Sequence, residues 1–218
     1  MFTISCYQVL GSYQQIETYR DLGNTDTIMK CDVILAGVGG QGVLSVAAVI
    51  ARAAVEEGLA VRQSEVHGMA QRGGAVLAHL RIADTTIASD LVPRGSADLI
   101  LAMEPLECLR YAVWLSPNGA LVTAAEPLVN IPDYPELAGI IKTIETFPLY
   151  RIVEAAALAK EAGFAKSVNM VMVGAASAFL PIAAKKLEET IEKMFAGKDP
   201  AAARANKKAF DLGRSAAK

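Results

Sequence analysis

The sequence is poor in residues that hold clusters, metals and disulfides. Its three cysteines, Cys6, Cys31 and Cys108, lie far apart and form no C-x-x-C pair. Because an iron–sulfur cluster normally takes four cysteine thiolates, the chain alone is not expected to hold one. Its two histidines lack cysteine or carboxylate partners at zinc-ligand spacing, so no metal site is expected. Isolated cysteines without a disulfide framework suit a reducing compartment, and we expect a cytoplasmic protein.

A large net charge and long apolar runs are also missing. Lys+Arg number 21 and Asp+Glu 23, a net charge of −2 without the basic stripe that nucleic acid requires. The most apolar segment, 168–184, is interrupted by polar residues, glycine and proline, and falls short of the roughly 20 apolar residues that span a bilayer. We therefore expect neither a nucleic acid nor a membrane as partner. The chain is nevertheless 53% hydrophobic with a mean hydropathy of +0.32, enough for a large core and in favour of an additional buried surface such as a subunit interface.

Alternating strand and helix patterns predict an α/β fold: a Rossmann-like three-layer sandwich with a mainly parallel sheet, helices on both faces and a helical C-terminal region. Residues 1–28 are polar and lack a sustained period, so we predict an N-terminal extension outside the core and one domain over 29–218. Strands are predicted at 31–36, 60–64, 75–82, 98–103, 120–123 and near 141–146. Helices are predicted over 43–57, from Pro105 onward and through 151–213, with a turn at 116–119.

The first predicted strand leads into Gly37-Val-Gly-Gly-Gln-Gly42 and then a helix. Glycines permit a tight turn and close backbone approach, and a helix N-terminus offers free N–H groups to an anion. The loop is not a P-loop, because Val43-Leu44 stands where Lys-Ser/Thr is needed. Glu65 lies near the position of the ribose-binding acid of dinucleotide-binding folds, but beside His67 and Arg72 it can equally belong to a polar cluster. Dinucleotide binding therefore stays open at this point.

A second glycine motif follows Arg72. In Arg72-Gly73-Gly74 the two glycines let the backbone bend so that the guanidinium can point into a cleft and bind a phosphate or carboxylate. A turn with a solvated arginine explains the same residues equally well. His79 falls in an alternating strand and is expected to be structural, whereas the pattern does not decide the role of His67.

These motifs resemble the gamma-type domain of pyruvate and other 2-oxoacid:ferredoxin oxidoreductases. The loop 37–42 is similar to the opening of that domain, and Ser64-Glu-Val-His-Gly-Met-Ala-Gln-Arg-Gly-Gly74 resembles the beta subunits of indolepyruvate:ferredoxin oxidoreductases. The resemblance covers about 30–214, and it departs from the family at Glu154, where Asp is more frequent. Further matches, in chain order, are 97–107 with Arg110, Asn169 before Gly174, and Asn206, Phe210 and Gly213.

The resemblance implies a small subunit, inactive alone, in a hetero-oligomer with a large alpha subunit. That partner would carry thiamine diphosphate and [4Fe-4S] clusters and pass electrons to ferredoxin. Together the subunits would convert an arylpyruvate and coenzyme A (CoA) into aryl-acetyl-CoA and carbon dioxide. The small subunit would bind no cofactor by itself but help to receive CoA at the subunit junction, without supplying a catalytic residue.

The resemblance places the residues that bind this ligand in the two glycine motifs and the polar segment before the second. These residues are Gly37, Gly39, Gly40, Gln41, Gly42, Glu65, His67, Gln71, Arg72, Gly73 and Gly74. Two other functions remain compatible with the sequence. One is a stand-alone NAD(P)-dependent dehydrogenase, and the other is a non-catalytic nucleotide- or CoA-binding module.

Overall fold

The computed structural model describes residues 29–67, 73–196 and 200–217. The predicted extension 1–28 and the predicted site residues Gln71 and Arg72 lie outside these ranges. The strands are β1 (Lys30–Val38), β2 (Ala60–His67), β3 (Ala75–Ala83), β4 (Ala97–Ala102), β5 (Leu115–Ala124) and β6 (Tyr150–Val153). The helices are α1 (Val43–Glu56), α2 (Pro105–Arg110), α3 (Leu137–Ile144), α4 (Ala155–Glu161), α5 (Val168–Ala176), α6 (Ala184–Ala196) and α7 (Pro200–Ala216).

The described strands form one six-stranded sheet in the order β2-β3-β1-β4-β5-β6. The pairs β1–β4, β4–β5 and β5–β6 are parallel, whereas β3 runs antiparallel to both β1 and β2. The mainly parallel sheet is thus confirmed, with a hairpin at one side that inserts β3 between β1 and β2. The carboxyl ends of β1, β4, β5 and β6 meet at one edge, which we call the carboxyl edge.

Helices cover both faces of the sheet, as predicted. Side chains of β1 alternate between the two faces because successive residues of a strand point to opposite sides. Val33 and Leu35 join the core packed by α1, α5, α6 and α7. Ile34 and Ala36 join the core on the other face, which α2 and α3 cover. β1 therefore contributes apolar side chains to the cores on both faces of the sheet.

Helices α5 and α7 pack backbone to backbone. A Cβ atom placed on Gly174 would lie closer than 3.0 Å to the carbonyl oxygen of Phe210, and one on Gly213 equally close to that of Val171. Only glycine permits this approach, because every other residue adds a Cβ at the contact. The glycines matched by the family resemblance thus set the distance between these two helices.

Three local predictions were wrong. The segment near 141–146 forms α3, because Ile140 and Ile144, one turn apart, bury one face of a helix even though β-branched residues favour strands. The first residues of the predicted helical region belong to β6, a four-residue strand that pairs with β5. The predicted turn at 116–119 lies inside β5, whose pairing with β4 shifts register between Ala97 and Leu99.

Two predicted helix boundaries are confirmed. Helix α1 ends at Glu56, just before Gly58 with φ 82°, and Pro105 occupies the first turn of α2, where its missing N–H leaves no bond unmade. Among the residues described, no helix combines the length and apolar character needed to cross a membrane.

Candidate functional site

The glycine loop, residues 37–42, joins β1 to α1 at the carboxyl edge. Gly40 and Gly42 have φ values of 102° and 78°, in the left-handed region that residues with a Cβ rarely adopt. Gly42 also caps α1, and its carbonyl oxygen accepts the N–H groups of Ser45 at 2.9 Å and Val46 at 3.3 Å. The loop therefore connects the carboxyl end of β1 directly to the N-terminus of α1.

The side chain of Gln41 fastens this loop to the sheet. Its Oε1 accepts the N–H of Val38 at 2.8 Å, and its Nε2 donates to the carbonyl oxygen of Met103, just past β4, at 3.1 Å. Each end of the carboxamide thus has a partner in the chain itself. Gln41 therefore shapes the loop through these two bonds across neighbouring strand ends, and its predicted role in ligand binding stays a prediction.

The two glycine motifs meet in space. The N–H of Gly39 donates to the carbonyl oxygen of Gly74 at 2.8 Å, and the N–H of Gly73 donates to that of Gly39 at 3.3 Å. These bonds extend the antiparallel pairing of β1 with β3 beyond Val38 and Ala75. Gly73, which follows the predicted site residue Arg72 in the sequence, is therefore bonded directly to the glycine loop.

Two asparagines, which the sequence did not single out as site residues, contact this pair of loops. Asn130, in the segment after β5, donates its Nδ2 hydrogen to the carbonyl oxygen of Gly73 at 2.8 Å. Asn169, at the start of α5, donates to the carbonyl oxygen of Gly42 at 3.3 Å. A Cβ on Gly42 would collide with the Asn169 amide. Neither asparagine is near the glycine motifs in sequence, so only the fold brings them here.

The bonded carbonyls fix the direction of two N–H groups. In a trans peptide the C=O and the following N–H point in opposite directions. The carbonyl of Gly39 accepts the N–H of Gly73, and that of Gly42 accepts the N–H groups of Ser45 and Val46 in α1 as well as the Asn169 amide, so the N–H groups of Gly40 and Val43 point away from these partners. Gly40 is an exposed residue, whereas Val43 is only 3% exposed. Neither N–H donates a hydrogen bond within the described residues. An exposed N–H group beside a helix N-terminus can bind an anion.

Glu65 lies apart from the glycine loop. It is an exposed residue of β2 that pairs with Ala78, and Ala78 pairs with Leu35 of β1. Two strand spacings, about 10 Å, separate Glu65 from β1, and its carboxylate accepts a 3.4 Å bond from Gln63. In a dinucleotide-binding fold the strand with the ribose-binding acid neighbours the glycine-loop strand. The intervening β3 therefore argues against the dinucleotide alternative.

His67 is closer to the site than Glu65. It is the last residue of β2 and pairs with Val76, which is opposite Gly37. Its backbone thus reaches the level at which the glycine loop begins, although two strands away. The predictions for His67, and for Gln71 and Arg72 outside the described ranges, remain predictions.

A buried pair of acidic residues lies just after β4, at the same carboxyl edge of the sheet. Glu104 and Glu107 are each about 1% exposed. Glu104 caps α2 by accepting the N–H of Glu107, and it accepts the hydroxyl of Tyr134 at 2.7 Å. Burial, then the bond to Glu104, raises the pKa of Tyr134. Burial likewise raises the pKa of Glu107, although bonds from Arg110 lower it. With every polar atom engaged, this pair is structural.

Two buried polar side chains distant from the loops, His79 and Asp32, also have partners within the chain. His79 is buried and its Nδ1 accepts the N–H of Val92 at 3.1 Å, which confirms its structural role, while burial and the charge of Arg81 lower its pKa. At the opposite edge, buried Asp32 is paired with Lys30 and Arg81. Within the described ranges, no three histidine, cysteine or carboxylate side chains group as metal ligands. The candidate site is therefore the glycine loop with its bonded neighbours Gly73, Gly74, Asn130 and Asn169, which we call the loop cluster.

Comparison with known proteins gives one family. The family model described as pyruvate ferredoxin/flavodoxin oxidoreductase matches residues 32–216. The chain is 38% identical over 197 residues to the indolepyruvate oxidoreductase subunit IorB of Pyrococcus horikoshii, covering 86% of this chain and 96% of that relative.

Two solved structures share the fold. One is the 2-oxoglutarate:ferredoxin oxidoreductase from Magnetococcus marinus with 2-oxoglutarate, coenzyme A and succinyl-CoA bound (TM-score 0.69, 23% identity), which covers 86% of this chain but 31% of that longer chain. The other is the keto/oxoacid ferredoxin oxidoreductase gamma subunit from Geobacter sulfurreducens (TM-score 0.62, 23% identity), with 86% and 98% covered. By its match to the family model over most of its length, the chain belongs to the pyruvate ferredoxin/flavodoxin oxidoreductase family.

Proposed function

We propose that this chain is the small subunit of an indolepyruvate or related arylpyruvate:ferredoxin oxidoreductase. In this role it assists the CoA-dependent oxidative decarboxylation of the 2-oxoacid in the cytoplasm. A relative named as an indolepyruvate oxidoreductase subunit, similar over 96% of its own length, supports the proposal. The large partner subunit carries thiamine diphosphate and the iron–sulfur clusters and passes electrons to ferredoxin. This chain therefore helps to position and enclose the reactants and supplies no reacting group.

One observation carries the assignment of the ligand site: the direct hydrogen bonds between Gly39 and Gly73–Gly74. They join the two glycine motifs into one surface, on which Gly40 is exposed. CoA is rich in phosphate, which backbone N–H groups beside a helix N-terminus can bind. We assign the loop cluster to a phosphate of CoA at the subunit junction, with Arg72 as its cationic side and Gln71 and His67 at its mouth.

Reconstitution with the large subunit tests the proposed function. The large subunit, produced with and without this chain, is assayed for indolepyruvate-dependent reduction of a viologen dye in the presence of CoA. We expect turnover only from the assembled pair and none from either chain alone. Full activity of the large subunit alone would refute the need for this chain. Tight NADH binding to the isolated chain in calorimetry would instead favour the dehydrogenase alternative.

A charge series at Ser45 tests the assignment of CoA to the loops. Ser45 is exposed in the first turn of α1, and its N–H donates to the carbonyl oxygen of Gly42 in the glycine loop. We expect Ser45→Glu to raise the KM for CoA by about fivefold, since a negative charge nearby repels the bound phosphate by roughly 1 kcal/mol. Ser45→Lys should leave it unchanged or lower it, and added salt should shrink the difference.

Ser45→Gln is the matched neutral control, because it adds a side chain of similar length without a charge. Its KM for CoA should equal that of the wild type. The KM for indolepyruvate should not respond to any member of the series. Equal KM values for CoA in the Ser45→Glu and Ser45→Lys variants would contradict the assignment of CoA to the glycine loop.

A further inference from the structure

The segment between β5 and α3, residues 125–136, crosses the carboxyl edge of the sheet, and we call it the strap. It leaves the end of β5, and Asn130 donates to the carbonyl oxygen of Gly73, just before β3, at 2.8 Å. It then returns to β4, where the Tyr134 hydroxyl donates to Glu104 at 2.7 Å. Because β1 lies between β3 and β4 in the sheet, the strap passes the end of β1, at which the glycine loop begins.

The strap is fixed in shape although it contains no helix or strand. Besides the bonds of Asn130 and Tyr134, the Glu126 carboxylate accepts the N–H of Ala156 at 2.7 Å, so side chains tie the strap to the domain at three points. Proline restricts the backbone further by fixing φ, and the strap contains three: Pro127, Pro132 and Pro135. A segment that is already ordered binds a partner with little further loss of conformational freedom.

The strap nevertheless holds apolar side chains out of the core. Val129 is 69% exposed, the highest value among the large apolar residues that the structure describes, and its neighbour Leu128 is 38% exposed. Both stand directly before Asn130, a member of the loop cluster. Leu44 in the first turn of α1 and Val66 near the end of β2 are also exposed at this edge. Grouped apolar side chains that are kept exposed mark an interaction surface.

The charges of the strap are of one sign. It contains three acidic residues, Glu126, Asp133 and Glu136, and no lysine or arginine. Asp133 and Glu136 are exposed. A complementary partner surface therefore offers aliphatic side chains to Leu128 and Val129, with basic side chains at the border facing these two carboxylates.

We propose that the strap is a docking segment for the large subunit, which covers Leu128 and Val129 with an apolar surface bordered by basic side chains. This inference rests on the proposed function and deepens it. In that function CoA is bound at the loop cluster and thiamine diphosphate by the large subunit, so the large subunit has to approach the carboxyl edge for the two to react. A subunit that encloses the loop cluster from this edge also meets the strap, because Val129 is adjacent to Asn130.

The double variant Leu128→Asn/Val129→Asn tests the proposal. It is produced together with a tagged large subunit, and the dissociation of the purified complex is followed by mass photometry over a dilution series. We expect the Kd of the complex to rise by at least about tenfold, as for residues at the centre of an interface. The variant Asp133→Asn/Glu136→Gln should raise the Kd by about threefold at low salt, and added salt should reduce this difference.

The matched control is Val55→Asn/Leu91→Asn. These two residues have similar exposure but lie at the opposite edge, at the end of α1 and in the segment before β4, and their replacement should leave the Kd unchanged. A wild-type chain that does not co-purify with the large subunit would refute the proposed function. A wild-type complex whose Kd is the same in the Leu128→Asn/Val129→Asn variant would overturn only the docking role of the strap.

Two further results would also overturn the docking role. One is an equal rise of the Kd in the control variant, since the effect would then not belong to the carboxyl edge. The other is a dimer of the isolated chain that the Leu128→Asn/Val129→Asn variant abolishes, because a second copy of this chain would then cover the strap.

Discussion

Gly213→Ala should lower the free energy of unfolding by about 3 kcal/mol, near the upper end of the usual cost of overpacking. The added Cβ would lie closer than 3.0 Å to the carbonyl oxygen and carbon of Val171. These atoms belong to the backbone of α5, so no side chain can rotate away, and the two helices must separate. Their separation would also loosen the packing of the nearby Phe210, which is 1% exposed. For a chain of this size the Tm should fall by about 10 °C.

Gly139→Ala is the matched control for Gly213→Ala. Gly139 also lies in a helix, α3, but a Cβ there would meet no atom within 4 Å. Alanine should leave stability unchanged or raise it by about 0.5–1 kcal/mol, since glycine is the weaker helix former. Thermal and urea unfolding of the two variants measure the difference. A Gly213→Ala protein that melts with the wild type would show that α5 and α7 are not in contact through their backbones.

Arg72→Ala should lower the CoA-dependent turnover of the assembled enzyme by at least about tenfold, the factor that corresponds to 1.4 kcal/mol of lost stabilisation. Arg72 directly precedes Gly73, whose N–H is bonded to the glycine loop and whose carbonyl is bonded to Asn130. We therefore expect the Arg72 guanidinium to bind an anionic group on the loop. Stability should change by less than about 1 kcal/mol, as for most surface substitutions.

Two companions of Arg72→Ala separate charge from geometry. Arg72→Lys should restore activity only in part, because an ammonium group cannot reproduce the two parallel bonds of a guanidinium. Arg62→Ala, in the edge strand β2, removes an exposed arginine whose 3.7 Å pair with Asp90 contributes little, and it should leave turnover unchanged. Wild-type turnover of Arg72→Ala at both saturating and limiting CoA would leave Arg72 an ordinary turn residue.

The segment after β5 illustrates what sequence patterns miss. Prolines and short polar stretches make 126–136 look irregular, and no pattern singles out Asn130 or Tyr134. In the structure these residues bond to Gly73 and Glu104, which lie far away in the chain. Such bonds join an irregular segment to the backbone of one distant residue and to the side chain of another. No sequence motif defines the spacing between these partners, so they could not be predicted. The wrong prediction of a strand near 141–146 has a related cause, since burial of Ile140 and Ile144 overrode the β preference of the segment.

The sequence by itself determined the class of fold, the position of the glycine loop and the family. The fold class and the position of the loop follow from local physics, because buried strands read as apolar runs and left-handed turns demand glycine, whereas the family follows from the resemblance of its motifs. The family resemblance in the glycine motifs is confirmed by the family model over residues 32–216. The absence of a cysteine set for a cluster was equally visible in the composition.

Only the tertiary structure decided which residues meet at the site. It inserted the antiparallel β3 between β1 and β2, which moved Glu65 two strands from the glycine loop and joined Gly39 to Gly73–Gly74 instead. It also brought Asn169 against Gly42 across 127 residues of chain. Strand order and long-range hydrogen bonds depend on how whole elements pack together, and packing is a property of the complete chain that no local pattern contains.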